Sequence, residues 1–314
     1  MKRPMQILIA YDGSDGADAA LRDLTRAGLP PDAEAWVLTV ADASTFGPRG
    51  GAALFASGDE ETLAGRQRAR AAAILHRART AAADGSKRVA SLFPGWRVRT
   101  QVTGGAPASA IVFKADIVRP DLVVVGSRMR SRPARLLLGS VARKVVTESL
   151  VTVRVARAPV ARDGAPLRIL VGHDGAGGGQ AALHAAAGRA WPEGSEIRAV
   201  AVQDADVWSV LGPEFESEAA WPPAEMPMGR EMLRRVIEQD LEALARPGLT
   251  VSAEVESGVA SRVLLRVARS WKADSVFVGA TRRGPIERFL LGNVASAVAD
   301  RARCSVEVVR ARPE

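Results

Sequence analysis

The feature that most constrains this chain is an internal repeat. The segment ILIAYDG at 7–13 is matched by ILVGHDG at 169–175, and Ala-Ala-Leu begins seven residues after the aspartate in both places. A second matching pair covers 123–145 and 276–298, where nine of twenty positions counted from a shared glycine are identical. Two such pairs in the same order indicate that the 314 residues contain two copies of one structural unit.

A segment rich in proline, glycine and charge separates the two copies. Residues 156–166 read ARAPVARDGAP and show no apolar periodicity, which is typical of a linker. We therefore predict one domain over 1–158 and a second over 166–314. Each has about 150 residues, a length that can bury a core without disulfides or metals.

Each copy alternates strand patterns with helix patterns. In the first copy we predict strands at 5–11, 35–41, 97–103, 121–126 and 151–156, and helices at 15–28, 60–84, 106–118 and 138–149. The second copy predicts strands at 167–173, 196–203, 249–256, 274–279 and 304–310, and helices at 178–190, 229–245, 260–271 and 291–302. This alternation predicts an α/β fold of two tandem three-layer domains, each a five-stranded parallel sheet with helices on both faces.

The clearest chemical motif follows the fourth strand of the first copy. Gly126 ends the strand, a basic loop follows, and Gly139 and Ser140 open a helix. A helix start offers free amide hydrogens and partial positive charge, which suit a phosphate group. The same pattern also serves simply to turn the chain and cap a helix, and the residues alone leave both interpretations open.

Three other features near the strand ends have two interpretations each. Asp12 is either a ligand contact or a turn residue that caps the next helix. Arginines of the two basic loops could meet phosphate or lie in solvent; they are Arg128, Arg130, Arg282 and Arg283. The run GAGGGQ at 175–180 lacks the Gly-Lys-Ser/Thr ending of a P-loop, so we interpret it as a flexible turn, with backbone contact to a ligand as the alternative.

These motifs resemble the universal stress protein family, whose fold is of the adenine nucleotide α-hydrolase-like type, and the resemblance covers both copies nearly end to end. The family pattern is Gly, two residues, Gly, nine residues, Gly, then Ser or Thr. The first copy has Gly126, Met129, Gly139 and Ser140 in these four places, and the second has Gly279, Arg282, Gly292 and Asn293. Both copies therefore lack the middle glycine, and the second also lacks the hydroxyl.

The resemblance implies a stress-response regulatory protein that binds adenine nucleotide, with ATP as the ligand and no indication about magnesium. In the family an aspartate of the first turn contacts the nucleotide, and a residue at the end of the second strand holds adenine through its backbone. The nucleotide-binding residues implied here are Asp12, Val40, Gly126, Arg128, Met129, Gly139, Ser140, Val141, Asp174, Val202, Gly279, Arg282, Gly292 and Asn293. The missing middle glycines favour the alternative, an interaction module of the same fold that does not bind nucleotide.

The resemblance also bears on assembly. The last strand of each copy, at 151–157 and 305–312, alternates apolar and polar residues. In the family this strand mediates dimerisation, so we expect the two domains to form an intramolecular pseudo-dimer. The alternative is two domains joined loosely by the linker. A further homodimer and an unidentified protein partner are compatible with the sequence.

Composition and residue patterns argue against several other functions. The net charge of +8 is spread over predicted helices, which gives little support for nucleic-acid binding. A single cysteine, an N-terminus unlike a signal peptide, and no apolar run of about 18 residues predict a cytoplasmic protein without a membrane partner.

The sequence contains no recognisable catalytic set. It shows no Ser/His/Asp arrangement, no HExxH motif and no acidic metal cluster, and Ser140 lacks an evident general base. The histidines His76, His173 and His184 have no visible partners, and of these His173 alone lies near the candidate site. We therefore expect at most slow ATP hydrolysis.

Overall fold

The computed structural model describes residues 3–42, 63–127, 138–157, 166–203, 229–244, 246–280 and 292–311. The chain divides into two units, each with five parallel strands and its own apolar core. None of the helices in these segments is both long and apolar enough to cross a bilayer.

The first unit has five strands in the order β3-β2-β1-β4-β5, and every pairing between them is parallel. The chain moves outward from β1 to β3 and then returns to β4, so the strand order reverses between β1 and β4. Its elements are β1 Met5–Ala10, α1 Asp15–Leu24, β2 Ala33–Asp42, α2 Leu63–Leu92, β3 Arg97–Gly105, α3 Pro107–Val118, β4 Leu122–Gly126, α4 Ser140–Glu148 and β5 Val153–Ala156.

The second unit repeats this topology, with the parallel order β8-β7-β6-β9-β10. Its elements are β6 Arg168–His173, α5 Gly177–Ala187, β7 Ser195–Gln203, α6 Arg230–Glu242, β8 Leu249–Ser257, α7 Ala260–Ser270, β9 Ser275–Ala280, α8 Asn293–Arg301 and β10 Ser305–Arg310. The predicted fold class of two tandem α/β domains is confirmed.

The duplication extends to unusual backbone positions. Glycines with positive φ follow the strand-end aspartate in both units, Gly13 at 77° and Gly175 at 73°. Two non-glycine residues at equivalent helix ends also have positive φ, Arg119 at 47° and Lys272 at 55°. A left-handed conformation is costly for a residue with a Cβ, so its recurrence at matched positions shows that both units retain the same helix-to-strand connection.

The core of each unit is aliphatic, as the scarcity of aromatic residues requires. In the first unit Ile7, Leu21, Val37 and Val124 are all at most 2% exposed and belong to one apolar cluster between the sheet and its helices. Burying such a side chain contributes about 1.5–3 kcal/mol, so these contacts stabilise the scaffold that holds the strand ends.

Helix α2 is longer than its sequence pattern predicts. We expected it to end before Gly85, whereas it continues to Leu92. A Cβ at Gly85 would lie 2.6 Å from Cδ1 of Tyr11, so the glycine lets the helix pass over this ring. A helix-interior glycine costs about 1 kcal/mol relative to alanine, and here packing against Tyr11 outweighs that propensity.

Candidate functional site

The candidate site of the first unit lies at the carboxyl ends of β1 and β4, where the strand order reverses. Ligands of open α/β sheets bind in such a crevice. Gly126 ends β4 directly against the first turn of α1, since a Cβ there would lie 2.7 Å from the carbonyl oxygen of Gly16. The glycine therefore brings the end of β4 and the start of α1 together.

Asp12 organises the turn that leads from β1 into α1. Its Oδ1 accepts hydrogen bonds from the amide of Ser14 at 3.0 Å and from the hydroxyl of Ser14 at 2.6 Å. Ser14 in turn caps α1, with Oγ accepting from the amide of Ala17 at 3.2 Å. Both interpretations of Asp12 remain compatible with this geometry, because the carboxylate supports the helix cap and is also exposed to solvent.

The start of α4 is the strongest anion-binding feature of this edge. Gly139 is the N-cap residue with extended backbone, and no side chain caps the helix in this part of the chain. The first intrahelical bond runs from the amide of Arg143 to the carbonyl of Gly139, at 2.9 Å. The amides that precede Arg143, those of Ser140 and Val141 among them, therefore point out of the helix end.

Val40 presents backbone groups beside the same crevice. The ladder between β1 and β2 ends at the pair Ala10 and Leu38, and the amide of Tyr11 donates to the carbonyl of Leu38 at 2.9 Å. The backbone groups of residues two apart on a strand point towards the same neighbouring strand. Those of Val40 therefore point to the side of β1, as those of Leu38 do, but lie beyond the last residue pair of the β1–β2 ladder. This arrangement leaves the backbone of Val40 available to a ligand.

The second unit uses its aspartate differently. Oδ1 of Asp174 accepts directly from the amides of Ala176 at 3.1 Å and Gly179 at 3.0 Å, so this carboxylate caps α5 itself. The expectation of a flexible turn at 175–180 is wrong, because residues 177–179 form the first turn of α5. A Cβ on Gly279 would overlap the backbone of Gly178, and the glycines make that close approach possible.

The other predicted residues of the second unit lie in places equivalent to those of the first. Gly292 is the N-cap residue of α8, again without a side-chain cap in the described residues, and Asn293 is the first helical residue. Val202 lies near the end of β7, where it pairs with Glu256 of β8. The second unit therefore retains the helix start but carries an amide side chain where the first has a hydroxyl.

Part of the predicted set lies outside the described residues. These positions are Arg128, Met129 and Arg282, together with the neighbouring Arg130 and Arg283. In the described part of the first unit, topology brings the turn at Asp12, the last residues of β2 with Val40, the end of β4 at Gly126 and the start of α4 to one edge of the sheet.

The residues at the ends of β1 and β6, Tyr11 and His173, make side-chain hydrogen bonds that the sequence did not predict. The hydroxyl of Tyr11 donates to Oδ1 of Asp18 at 2.6 Å, and burial, followed by that hydrogen bond, raises the pKa of Tyr11 to about 12. His173, its equivalent in the repeat, was expected to lack a partner, but its Nε2 lies 3.1 Å from Oδ2 of Asp240. The repeat alignment, which places polar residues at both strand ends, was the signal available in the sequence.

The tautomer of His173 follows from its contacts. The amide of Gly175 donates to Nδ1 of His173 at 3.0 Å, so Nδ1 acts as the acceptor. Nε2 therefore carries the proton and donates to Asp240, a residue of α6. The contact ties the end of β6 to a neighbouring helix, which is a structural role. No group of three or more metal-ligating side chains occurs among the described residues.

The raised pKa of Tyr11 predicts how stability depends on alkaline pH. The folded protein holds this proton more tightly than the unfolded chain, whose tyrosine has a pKa of 10.0. The stabilisation is fully present below pH 10 and is lost as the pH rises towards about 12. Because Tyr11 is the one tyrosine of the chain, tyrosinate absorbance reads it directly. We expect a titration near 12 in the native protein and near 10 in urea.

The Tyr11→Phe variant is the control for this titration. It should show no tyrosinate signal, and its urea midpoint should fall less between pH 10 and 12 than that of the native protein. Equal titration of the native and urea-unfolded forms would contradict the described contact with Asp18.

Comparisons with known proteins agree with this architecture. A model of the universal stress protein family matches residues 5–157 and again residues 167–310. The universal stress protein MJ0531 of Methanocaldococcus jannaschii is 28% identical over 156 residues, which are 49% of this chain and 82% of that protein.

Two solved structures share the fold over nearly the whole length. A universal stress protein from Archaeoglobus fulgidus is 20% identical with a TM-score of 0.65, over 97% of this chain and 98% of that one. A functionally unknown protein, PA1789, from Pseudomonas aeruginosa is 16% identical with a TM-score of 0.57, over 98% of this chain and 92% of that one. With the family model matching in both halves, this chain belongs to the universal stress protein family as a member with two tandem domains.

Proposed function

We propose that the first unit binds an adenine nucleotide, ATP, as a regulatory ligand. The observation that carries this proposal is the uncapped start of α4 at Gly139, at the edge where the strand order reverses. A helix N-terminus carries roughly half a positive charge and several free amide donors, which are matched by phosphate oxygens. The hydroxyl of Ser140, the first residue of α4, adds a further donor at this position.

The other two groups at this edge suit the nucleoside. Backbone N–H and C=O of Val40 face the crevice beyond the ladder of β1 and β2, and such a pair complements the edge of adenine. The exposed carboxylate of Asp12 can accept hydrogen bonds from ribose hydroxyls, and its bonds to Ser14 hold it in place. Phosphate, sugar and base would thus each meet a different strand end.

The second unit offers a weaker site for the same ligand. The carboxylate of Asp174 accepts two hydrogen bonds at Oδ1 and is exposed, as that of Asp12 is, so the aspartates do not distinguish the two units. The difference lies at the helix start, where Asn293 replaces the hydroxyl at the start of α8. We therefore propose one nucleotide per chain, bound in the first unit, and no fast catalysis, because no side chain of the described residues makes a hydrogen bond to the hydroxyl of Ser140 that could activate it.

The Gly139→Asp variant tests the phosphate contact without harming the helix. Aspartate is a preferred N-cap residue, and Gly139 has φ of −62° and ψ of 153°, which aspartate adopts without strain. Its carboxylate would bond the first-turn amides and repel phosphate. We expect ATP affinity to fall by about tenfold or more, while the urea midpoint stays equal or rises. Isothermal titration with ATP and with adenosine, beside urea unfolding, measures both effects.

Gly292→Asp in the second unit is the matched control. Gly292 has φ of −55°, and no atom lies within 4 Å of the place that a Cβ would take, so the substitution is equally tolerated there. ATP affinity should remain that of the native protein. Loss of ATP binding in this variant with retention in Gly139→Asp would move the site to the second unit. Absence of binding at millimolar ATP in the native protein would overturn the proposal.

A further inference from the structure

A groove on the first unit lies between β3, the outermost strand on the β2 side of the order, and helix α3. It has a volume of about 530 Å³ and lies at the outer edge of the sheet, two strands away from β1. We call it the β3–α3 groove; residues that define it are Gln101, Thr103, Ala110, Phe113, Lys114 and Ile117. Its residues take no part in the proposed nucleotide contacts, so it is a separate surface.

The helix wall of the groove exposes large apolar side chains. Phe113 is 67% exposed and Ile117, one turn further along α3, is 62% exposed. Both are lining residues of the same groove, so they form one continuous apolar wall. Exposed apolar side chains scattered singly are ordinary, but a contiguous set beside a cavity is typical of an interaction site.

The opposite wall is the free edge of a sheet. β3 pairs with β2 and, among the described strands of this unit, with no other. Half of its backbone N–H and C=O groups therefore point outward, without a strand to bond them. Such an edge can pair with an added extended segment, whose alternate side chains then face the helix.

The second unit shows that this surface is not demanded by the fold. At the positions of Phe113 and Thr103 it has Arg266 and Glu256, whose Nη2 and Oε2 atoms are 3.1 Å apart. At the position of Gln101 it has Glu254, which pairs with Arg198 at 3.2 Å. The same backbone thus carries one ion pair between helix and edge strand and a second between the two outer strands in one unit, and an apolar groove in the other.

The charge of the groove indicates what its occupant carries. Lys114 is the charged residue among those that line it, and no carboxylate pairs with Lys114 in the described part of the chain. We propose that the β3–α3 groove binds an extended peptide segment of a protein partner, which adds to the edge of β3. Its alternate apolar side chains contact Phe113 and Ile117, and a carboxylate of the segment pairs with Lys114.

Selection from a displayed library of randomised eight-residue peptides with free carboxyl ends tests this proposal on the full-length protein. We expect enriched peptides with alternating apolar residues and an acidic group that meets Lys114. Their affinity, measured by fluorescence anisotropy, should fall about tenfold for Lys114→Ala and be lost for Phe113→Arg. Hydrogen exchange should slow in Arg97–Gly105 when peptide is bound.

Met232→Arg is the matched control, because Met232 is also an exposed apolar residue, 56% exposed, on helix α6. It should bind the selected peptides as the native protein does. Peptides that bind Phe113→Arg equally well, or that leave β3 unprotected, would overturn the proposal. A dimer of the native protein that the Phe113→Arg substitution dissociates would also overturn the proposal, because a second copy of the chain would then occupy the groove. These outcomes do not depend on whether the protein binds ATP, so they test the groove separately from the proposed nucleotide site.

Discussion

Asp23→Ala is expected to destabilise the first unit by about 3 kcal/mol or more. Asp23 of α1 accepts from Nε of Arg154 at 2.7 Å and from Nη2 at 3.1 Å, and Arg154 on β5 is fully buried. Removing one member of a buried pair leaves the other charge without those hydrogen bonds in a medium of low dielectric constant, which costs about 3–5 kcal/mol. Urea unfolding followed by circular dichroism measures the loss.

Two further variants show whether the pair itself is responsible. Lys144→Ala breaks an exposed pair with Glu148 and should change stability by about 0.5 kcal/mol or less. The double variant Asp23→Leu with Arg154→Met removes both charges and should be more stable than Asp23→Ala alone. An Asp23→Ala variant as stable as the Lys144→Ala variant would contradict the buried ion pair.

The equivalent strand position of the second unit carries the opposite charge. Glu307 of β10 takes the place of Arg154, is also fully buried, and pairs with Arg189, which follows α5. Both units therefore place an ion pair between the first helix region and the last strand, with the signs exchanged. The position thus carries a paired charge in both copies, and its sign differs between them.

Gly279→Ala is expected to be the most damaging single methyl addition at the described glycines of the second unit. The new Cβ would overlap the carbonyl group of Gly178, which belongs to the first turn of α5 and cannot rotate away as a side chain could. Either the end of β9 or the start of α5 must shift, and such overpacking costs about 3 kcal/mol. The urea midpoint of the variant should fall accordingly.

Two matched glycines calibrate this result. Gly292→Ala adds a methyl where no atom lies within 4 Å. Alanine is a poorer N-cap residue than glycine, so we expect a loss of about 1 kcal/mol or less. Gly126→Ala is the counterpart in the first unit, where the nearest atom, the carbonyl oxygen of Gly16, would lie 2.7 Å away. We expect an intermediate loss there. Equal stability of the Gly279→Ala and Gly292→Ala variants would contradict the close approach of β9 and α5.

Local pattern was sufficient to predict the elements of both units. Continuous apolar runs such as 123–125 become strands buried on both faces, and the apolar spacing through Leu21 and Leu24 becomes the inner face of α1. These signals depend on the period of a helix or strand and need no knowledge of distant residues. The repeat extended each prediction from one half to the other, including the helix starts at Gly139 and Gly292.

The roles of individual side chains depended on partners far away in the chain. Nothing near Gly85 in the sequence shows that the ring of Tyr11 lies against it and permits the helix to continue. The contact of His173 with Asp240 spans 67 positions, and that of Asp23 with Arg154 spans 131. Such pairs form only when the sheet order has brought their elements together, and periodicity carries no information about them.

The aspartates at the two strand ends show the same division. Asp12 and Asp174 stand at the same place in the repeat, so the repeat alone predicts that each follows a buried strand and precedes a helix. Their hydrogen bonds became clear from the folded chain, in which Asp12 bonds Ser14 while Asp174 caps α5 directly. The two differ because the first copy has the hydroxyl of Ser14 to cap its helix, whereas the second has Ala176 at that place and leaves its amides to the carboxylate.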